Sequence, residues 1–299
     1  MNGESPRVGP AFQPVPSEDR LESLSHTRVH GRAILLHVAL VSGAVLTLFP
    51  LLWMISASFM ASGEATTYPP HLVPHAASFD EYRQLFTRLN IGRAFFSSTV
   101  VAVGVTVLSL LFNSMAGYAF AKLRFRGRER IFGILLSALV IPAQVGMLPL
   151  FLLLKEMHLV NTYWGVIIPG LASVFGIFLI RQFMLSIPQE LLEAARIDGA
   201  GELRIYWSIV MPLARPILAT LAIFTFMSTW NDFMWPLIVL TDQSHYTLPV
   251  TIASLVGEHA QDVELMMAGS VVTVLPVLAL FLFLQRYYIA GLMMGSVKG

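Results

Sequence analysis

Pro188 to Pro212, PQELLEAARIDGAGELRIYWSIVMP, is a charged, strongly helix-forming stretch lodged between long apolar runs. Pro188 suits the first turn of a helix with Ser186 or Ile187 at the cap, and Gln189, three residues after Ser186, suits a capping box. Gln189 to Ile197 is dense in helix formers. Leu191, Leu192 and Ala195 give it one short apolar face, and Glu190, Glu193 and Arg196 stay polar. Gly199 is positioned to end this helix in a left-handed conformation. Gly201-Glu202-Leu203 then opens a second helix that reaches Pro212 and Pro216. The pattern predicts helix, tight glycine turn, helix. A helix of about ten residues is marginal in water alone and needs a neighbour for its apolar face. That neighbour is either a bed of lipid headgroups or a groove on a partner protein. The small Ala194 and Ala195 favour the close approach of a protein surface.

The surroundings of this segment are membrane-like. The chain has 299 residues, of which 56% are hydrophobic and 12% charged; a soluble domain carries about 25% charge. The composition therefore predicts an all-α membrane protein. The net charge of +1 gives no argument for nucleic acid, and the absence of cysteine removes disulfides, thiolate zinc sites and iron–sulfur clusters. Residues 1–32 form a polar tail with too little apolar content to fold alone, so residues 33–299 are the expected membrane domain.

Six apolar stretches follow, each near the ~20 residues that cross ~30 Å of hydrocarbon. They run roughly over Ala33–Ser58, Ala94–Gly117, Ile131–Leu154, Tyr163–Phe183, Leu213–Trp235 and Leu265–Leu284. With the N-terminus inside, fifteen of the nineteen Lys and Arg residues fall on inner segments, and only Arg83, Arg88, Arg93 and Lys155 fall outside. This bias predicts both termini on the cytoplasmic side. The Pro188–Pro212 segment then lies in the cytoplasm between spans four and five. The first outer loop, Phe59 to Arg93, carries FDEYRQLFTRL, which fits either a helix along the membrane surface or a short solvated helix. The last outer loop, Thr241 to Glu264, has acids and no Lys or Arg.

An uphill transporter built on this chain must couple to an ion gradient or borrow an ATPase. None of Lys122, Lys155 and Lys298 is followed by Ser or Thr, so the G-x-x-x-x-G-K-[ST] phosphate loop is absent. Ion coupling places carboxylates or His within spans. Asp232, the clearest intramembrane acid, lies roughly 24 Å along the fifth span from Pro216 at ~1.5 Å per residue, away from the midplane where carriers hold coupling ions. An ion-driven carrier is the weaker reading.

The residues of the internal segment also resemble a known family. Glu193-Ala194-Ala195, then Gly199, then Ile209-Val210-Met211-Pro212 are similar to the EAA loop of permease subunits of binding-protein-dependent ABC importers, with Met211 standing where the family usually has leucine and Asp198 in its usual place before the glycine. TWNDFMWPLIVL (Thr229–Leu240), YTLPV (Tyr246–Val250) and the ending QRYYIAGLMMGSVKG resemble the MalG-like permeases of carbohydrate importers, and the likeness covers roughly Ala33 to the last residue.

The resemblance implies a type I importer permease with six transmembrane helices and a transmembrane core over about 94–287. It implies no catalytic role and no cofactor of its own. Its implied partners are a second permease subunit, two cytoplasmic ATPase subunits that hydrolyse ATP, and an extracytoplasmic substrate-binding protein that delivers a sugar. Glu193, Ala194, Ala195, Asp198, Gly199 and Pro212 would form the coupling helix region seated in the ATPase, and the glycine-rich C-terminal tail would insert between ATPase subunits. A member of the same family importing glycerol 3-phosphate is the alternative.

Asn231 and Asp232, beside Trp230 and Trp235, are the candidates for the translocation path, because amide, carboxylate and aromatic groups suit sugar hydroxyls and ring faces. The commoner role of such tryptophans is at the membrane interface, with Asp232 reaching outer water. Asn113 and Gln144 suit hydrogen bonds between helices. The KLRFRGRER run suits topology and contact with anionic lipid.

Overall fold

The computed structural model describes residues 18–258 and 262–296, with side chains described over 34–255 and 262–283. Two compact units divide the chain, Met1–Trp53 and Met54–Gly299. The first is built on helix α1 (Glu18–Ala57), which carries Pro50 without a break. Ile34 to Leu52 are exposed throughout. Residues 18–32 extend this helix, so helix enters the segment expected to be an unfolded tail; residues 1–17 of that tail lie outside the described residues.

In the second unit every regular element is helical among the described residues. The helices are α2 (Asp80–Thr87), α3 (Ile91–Lys122), α4 (Arg128–Ser137), α5 (Ala143–Glu156), α6 (Tyr163–Ile167) and α7 (Val174–Leu185). They continue with α8 (Gln189–Ile197), α9 (Glu202–Ile205), α10 (Met211–Leu213), α11 (Arg215–Trp230), α12 (Met234–Val239), α13 (Leu248–Glu258) and α14 (Val263–Ser296). Ile34–Ala57, Ile91–Lys122 and Val263–Phe283 are each long and apolar enough to cross a membrane. Three bent pairs pass the same test together, so among the described residues the number of such segments is three, or six if each pair makes one crossing.

The bends have local causes. The stretch read as one span over Ile131–Leu154 turns by 104° between α4 and α5. Ile141, ahead of Pro142, is extended at φ −84°, ψ 120°, as the clash of a proline ring with its preceding residue demands. Residues 163–170 and 174–185 meet at 41°, where Ser173 Oγ accepts the Gly176 N–H at 2.9 Å and starts α7 afresh. The fifth stretch ends sooner than Leu213–Trp235 suggests: α11 stops at Trp230 and α12 is a separate short helix. A further helix, α13, occupies the segment read as the last outer loop, and buries Leu248, Val250 and Leu255.

α3 is the axis of the second unit. About 48 Å long at ~1.5 Å per residue, it joins two apolar clusters at its ends. Tyr118 and Ala121 pack with Ile180, Met184, Leu192, Ile205 and Val210 at one end, and Ile91 and Ala94 pack with Leu85, Trp230, Leu248 and Leu265 at the other. Gly117 permits the closest crossing with α7, since a Cβ there would stand 2.6 Å from the Ile180 side chain. Fully buried Asn113 ties the same helices: its Oδ1 accepts the Ser173 N–H at 3.0 Å and its Nδ2 donates to Ser109 Oγ at 2.6 Å. Gln144 is exposed. α2 packs against α14 and α3 through buried Leu85 and Glu81.

Candidate coupling site and translocation path

α8 spans Gln189–Ile197, but its start differs from the expected capping box. Pro188 is the N-cap and no side chain caps the helix; Ser186 Oγ donates instead to the Phe183 carbonyl at 2.7 Å. Pro188, at φ −57° and ψ 134°, fixes the entry angle, and the first-turn N–H groups receive no side-chain cap. The far end closes as a Schellman motif: Ala200 N–H donates to Ala195 O and Gly199 N–H donates to Arg196 O, both at 3.0 Å. Gly199 adopts φ +82°, the left-handed region that glycine enters without steric cost.

One face of α8 is inward and the other bare. Leu192 is fully buried against Tyr118, Met184 and Ile205, with Ala195 half-buried beside it. Leu191, expected on that face, is 42% exposed, because a step of about 100° per residue turns it away from Leu192. Glu193, Ala194, Asp198 and Gly199 are exposed, and Ile197 is 86% exposed. The second arm begins with α9, passes through a π-turn over Tyr206–Val210 that buries Tyr206 and Val210, and reaches α10 with exposed Pro212. Leu203 and Trp207 on this arm are exposed. A π-turn inside a helix commonly marks a functional position. From α10 the chain turns by 78° into α11.

Polar ties hold the two arms to α3. Glu202 Oε1 accepts from Arg196 Nε at 2.7 Å, and its Oε2 accepts the Tyr118 hydroxyl at 2.7 Å. Lys122 Nζ donates to the Ile187 carbonyl at 2.6 Å. Glu193, Arg196, Glu202, Lys122 and Arg124 line a cleft of about 620 Å³ between them. The neighbouring KLRFRGRER turn is braced by Arg181, which pairs with Glu129 at 3.0 Å and lies 4.1 Å over the Phe132 ring.

Trp230, Asn231 and Asp232 are adjacent but occupy different surroundings. Trp230 is 2% exposed, stacked on Phe226 at 5.5 Å, and donates Nε1–H to the Thr273 carbonyl at 3.0 Å. Asn231 is exposed and donates to Met227 O at 2.8 Å. Asp232 Oδ1 accepts the Trp235 N–H at 3.4 Å, at the start of α12.

Sequence reasoning missed a polar cavity of about 360 Å³ whose lining includes Arg88, Asn90, Arg93, Gln243, Tyr246 and Ser254. Arg93 Nε donates to Ser244 O at 2.7 Å across 151 residues of chain, a pairing that no local pattern announces. Also missed was a carboxylate cluster in which buried Glu81 faces Asp262 and Glu264.

With this geometry in hand, residues 110–292 match the family described as "binding-protein-dependent transport system inner membrane component". The chain belongs to that family. It is 42% identical over 259 residues to the arabinooligosaccharides transport system permease protein AraQ of Halalkalibacterium halodurans, covering 86% of this chain and 93% of the relative. It is 33% identical to the diacetylchitobiose uptake system permease protein NgcG of Streptomyces coelicolor, over 89% of each chain. It is 32% identical to the sn-glycerol-3-phosphate transport system permease protein UgpE of Yersinia enterocolitica, over 88% of this chain and 96% of the relative. In three dimensions it resembles a chain of a bacterial ABC transporter that imports the acidic polysaccharide alginate, with TM-score 0.76 and 26% identity over 92% of this chain and all of the other.

Proposed function

We propose that this permease is one membrane-spanning subunit of an ATP-driven importer for a sugar or oligosaccharide. The observation that carries the reading is the bare apolar side of the helix-turn-helix: Ile197 at 86% and Leu203 at 69% exposure, on arms whose opposite sides are buried. Such a surface has no occupant within the described chain and fits a protein groove.

In this reading each bent helix pair makes one crossing, giving six spans over residues 33–299 with both termini cytoplasmic, in keeping with the Lys and Arg distribution. A second permease completes the pathway, two cytoplasmic ATPase subunits hydrolyse ATP, and an extracytoplasmic binding protein delivers the solute. Glu193, Ala194, Ala195, Asp198 and Gly199 form the surface that enters the ATPase, and Pro212 sets where the second arm turns into the membrane. ATP-driven closure of the ATPase pair pushes α8, and the buried Leu192 cluster passes that push to α3 and α7. Asn231 and Asp232 remain the candidates for the solute path; Trp230, packed against Phe226, shapes that path from behind. The oligosaccharide relatives support a neutral sugar over glycerol 3-phosphate, and the apolar spans hold no central Lys or Arg that a phosphate ester would favour.

The test is uptake in cells lacking this gene, with a panel of labelled neutral oligosaccharides and glycerol 3-phosphate. Loss of one oligosaccharide's uptake, dependent on ATP and insensitive to a protonophore, is expected. Loss confined to glycerol 3-phosphate, or uptake abolished by the protonophore at constant ATP, would contradict the reading.

A further inference from the structure

Glu202 stands where three elements meet. It is the first residue of α9, Arg196 lies in the last turn of α8, and Tyr118 lies one turn from the end of α3. Its carboxylate is divided between the other two: Oε1 takes the Arg196 Nε–H and Oε2 takes the Tyr118 O–H, each at 2.7 Å, with Arg196 Nη2 at 3.3 Å from Oε2. Tyr118 is 4% exposed, so its hydroxyl is held in place by packing, with the ring 5.7 Å from Tyr206. Lys122, one helical turn further along α3 from Tyr118, makes a second tie through Ile187 O.

A third polar tie joins the second arm to α3, where the Tyr206 and Ser114 hydroxyls are hydrogen-bonded at 2.7 Å; the contact through Leu192, Ile205 and the Tyr206 ring is apolar. Apolar burial is non-directional and tolerates sliding. Hydrogen bonds to a carboxylate are short, charge-assisted and directional. An applied push on α8 therefore has two possible fates: it is absorbed by flexing at the Gly199 turn, or it is delivered to α3 through bonds that resist sliding.

From this geometry we infer that Glu202 is a positioning residue that locks α8, α9 and α3 into one moving body, so that displacement of the coupling helix reaches the membrane helix undiminished. The inference rests on the coupling reading above. A local role, in which Glu202 merely staples α8 to α9 through Arg196, requires nothing of Tyr118; this is what separates the two accounts.

The chain contains no cysteine, which permits clean paired labelling. Spin labels at Leu191→Cys and Val107→Cys, 42% and 58% exposed positions on α8 and α3, are measured by double electron–electron resonance in the complete purified complex in lipid nanodiscs, and a separate sample carries a single label at Ile197→Cys. The states compared are nucleotide-free and trapped with ATP and vanadate. With Glu202 and Tyr118 present, the inter-label distance should be the same in both states. In a Ser114→Ala background, which removes the Tyr206 tie, Tyr118→Phe and Glu202→Gln should each make the distance change on trapping where Ser114→Ala alone does not, while the rate of ATP hydrolysis is retained.

If Tyr118→Phe in the Ser114→Ala background keeps the same distance in both states, Glu202 is a local staple and the inference is wrong. The spectrum of the Ile197 label alone tests the underlying reading: it should be immobilised when the ATPase joins. An unchanged spectrum would overturn the coupling assignment itself, whereas immobilisation combined with the same distance in both states of Tyr118→Phe in the Ser114→Ala background would overturn only the lock. Should Glu202→Gln fail to assemble, Tyr118→Phe, which removes one hydroxyl, carries the test.

Discussion

Lys122 Nζ donates a 2.6 Å hydrogen bond to the carbonyl of Ile187, joining the end of α3 to the entry of α8. Lys122 is only 8% exposed, so its stem packs while its charge meets the carbonyl two residues before the helix. Replacing it with methionine keeps the apolar stem and removes the donor. A lost hydrogen bond to a charged group costs about 1.5–3 kcal/mol. Lys122→Met should therefore raise amide exchange over residues 189–197 by at least tenfold while leaving α11 unchanged. Unaltered exchange in α8 would show that this bond does not hold the segment.

Gly199 has room for a side chain but not the backbone for one. A Cβ there would meet nothing within 4 Å, yet φ is +82°. The cost of substitution is thus conformational, about 1–2 kcal/mol for an ordinary L-residue and less for asparagine. Gly199→Asn should retain most transport, and Gly199→Val should lose most of it at equal membrane abundance. Gly199→Pro should insert normally but abolish uptake. Equal activity of the asparagine and valine variants would remove the argument from backbone geometry.

Asn113 closes the α3–α7 crossing by serving both Ser173 N–H and Ser109 Oγ from a fully buried position. Asn113→Leu leaves the Ser173 N–H without that partner, at a cost of about 1–3 kcal/mol. Thermal unfolding in detergent should shift down by several degrees, with little change for Gln144→Leu at an exposed position.

Glu81 gives a pH dependence at the other end of α3. It is 2% exposed, and burial first, then Asp262, Glu264 and Asp80, push its pKa up to about 7, with Arg88 opposing and Gln84 Nε2 donating to it at 3.4 Å. A carboxyl whose folded pKa is raised stabilises packing most when protonated, so the contribution is complete below about pH 4.5 and is lost as pH rises through about 7. Amide exchange in α2, corrected for its intrinsic pH dependence, should speed up between pH 6 and pH 8. Glu81→Gln should flatten that change. A pH profile identical in the two proteins would place the titration elsewhere.

Much of this architecture could be read before any coordinates. The bounds of α8 and the left-handed Gly199 follow from helix propensity and glycine placement, which act locally. The expected capping box failed because Pro188 already sets the entry angle, and Leu191 left the buried face because tertiary packing selected Leu192. The bends at Pro142 and around Ala214 lie beside prolines, but the spans read as continuous because their angles depend on what each half packs against. α13 was missed because LPVTIASLV sits between acids and reads as loop until α14 and α3 cover it. The Arg93–Ser244 bond and the Glu81–Glu264 cluster join distant segments. Their partners become neighbours only through the fold, so no short-range pattern marks them.

The central claim is that the bare side of α8 meets an ATPase, and cross-linking measures it most directly. Ile197→Cys, in a chain with no other cysteine, is treated with a short thiol-to-amine cross-linker in the purified complex. Leu46→Cys on α1, 76% exposed, serves as control. The account predicts an adduct between the Ile197→Cys chain and a subunit carrying a G-x-x-x-x-G-K-[ST] phosphate loop, identified by mass spectrometry and absent from the Leu46→Cys sample. An assembled, ATP-hydrolysing complex in which Ile197→Cys gives no adduct with that subunit, or gives one only with lipid, would contradict it.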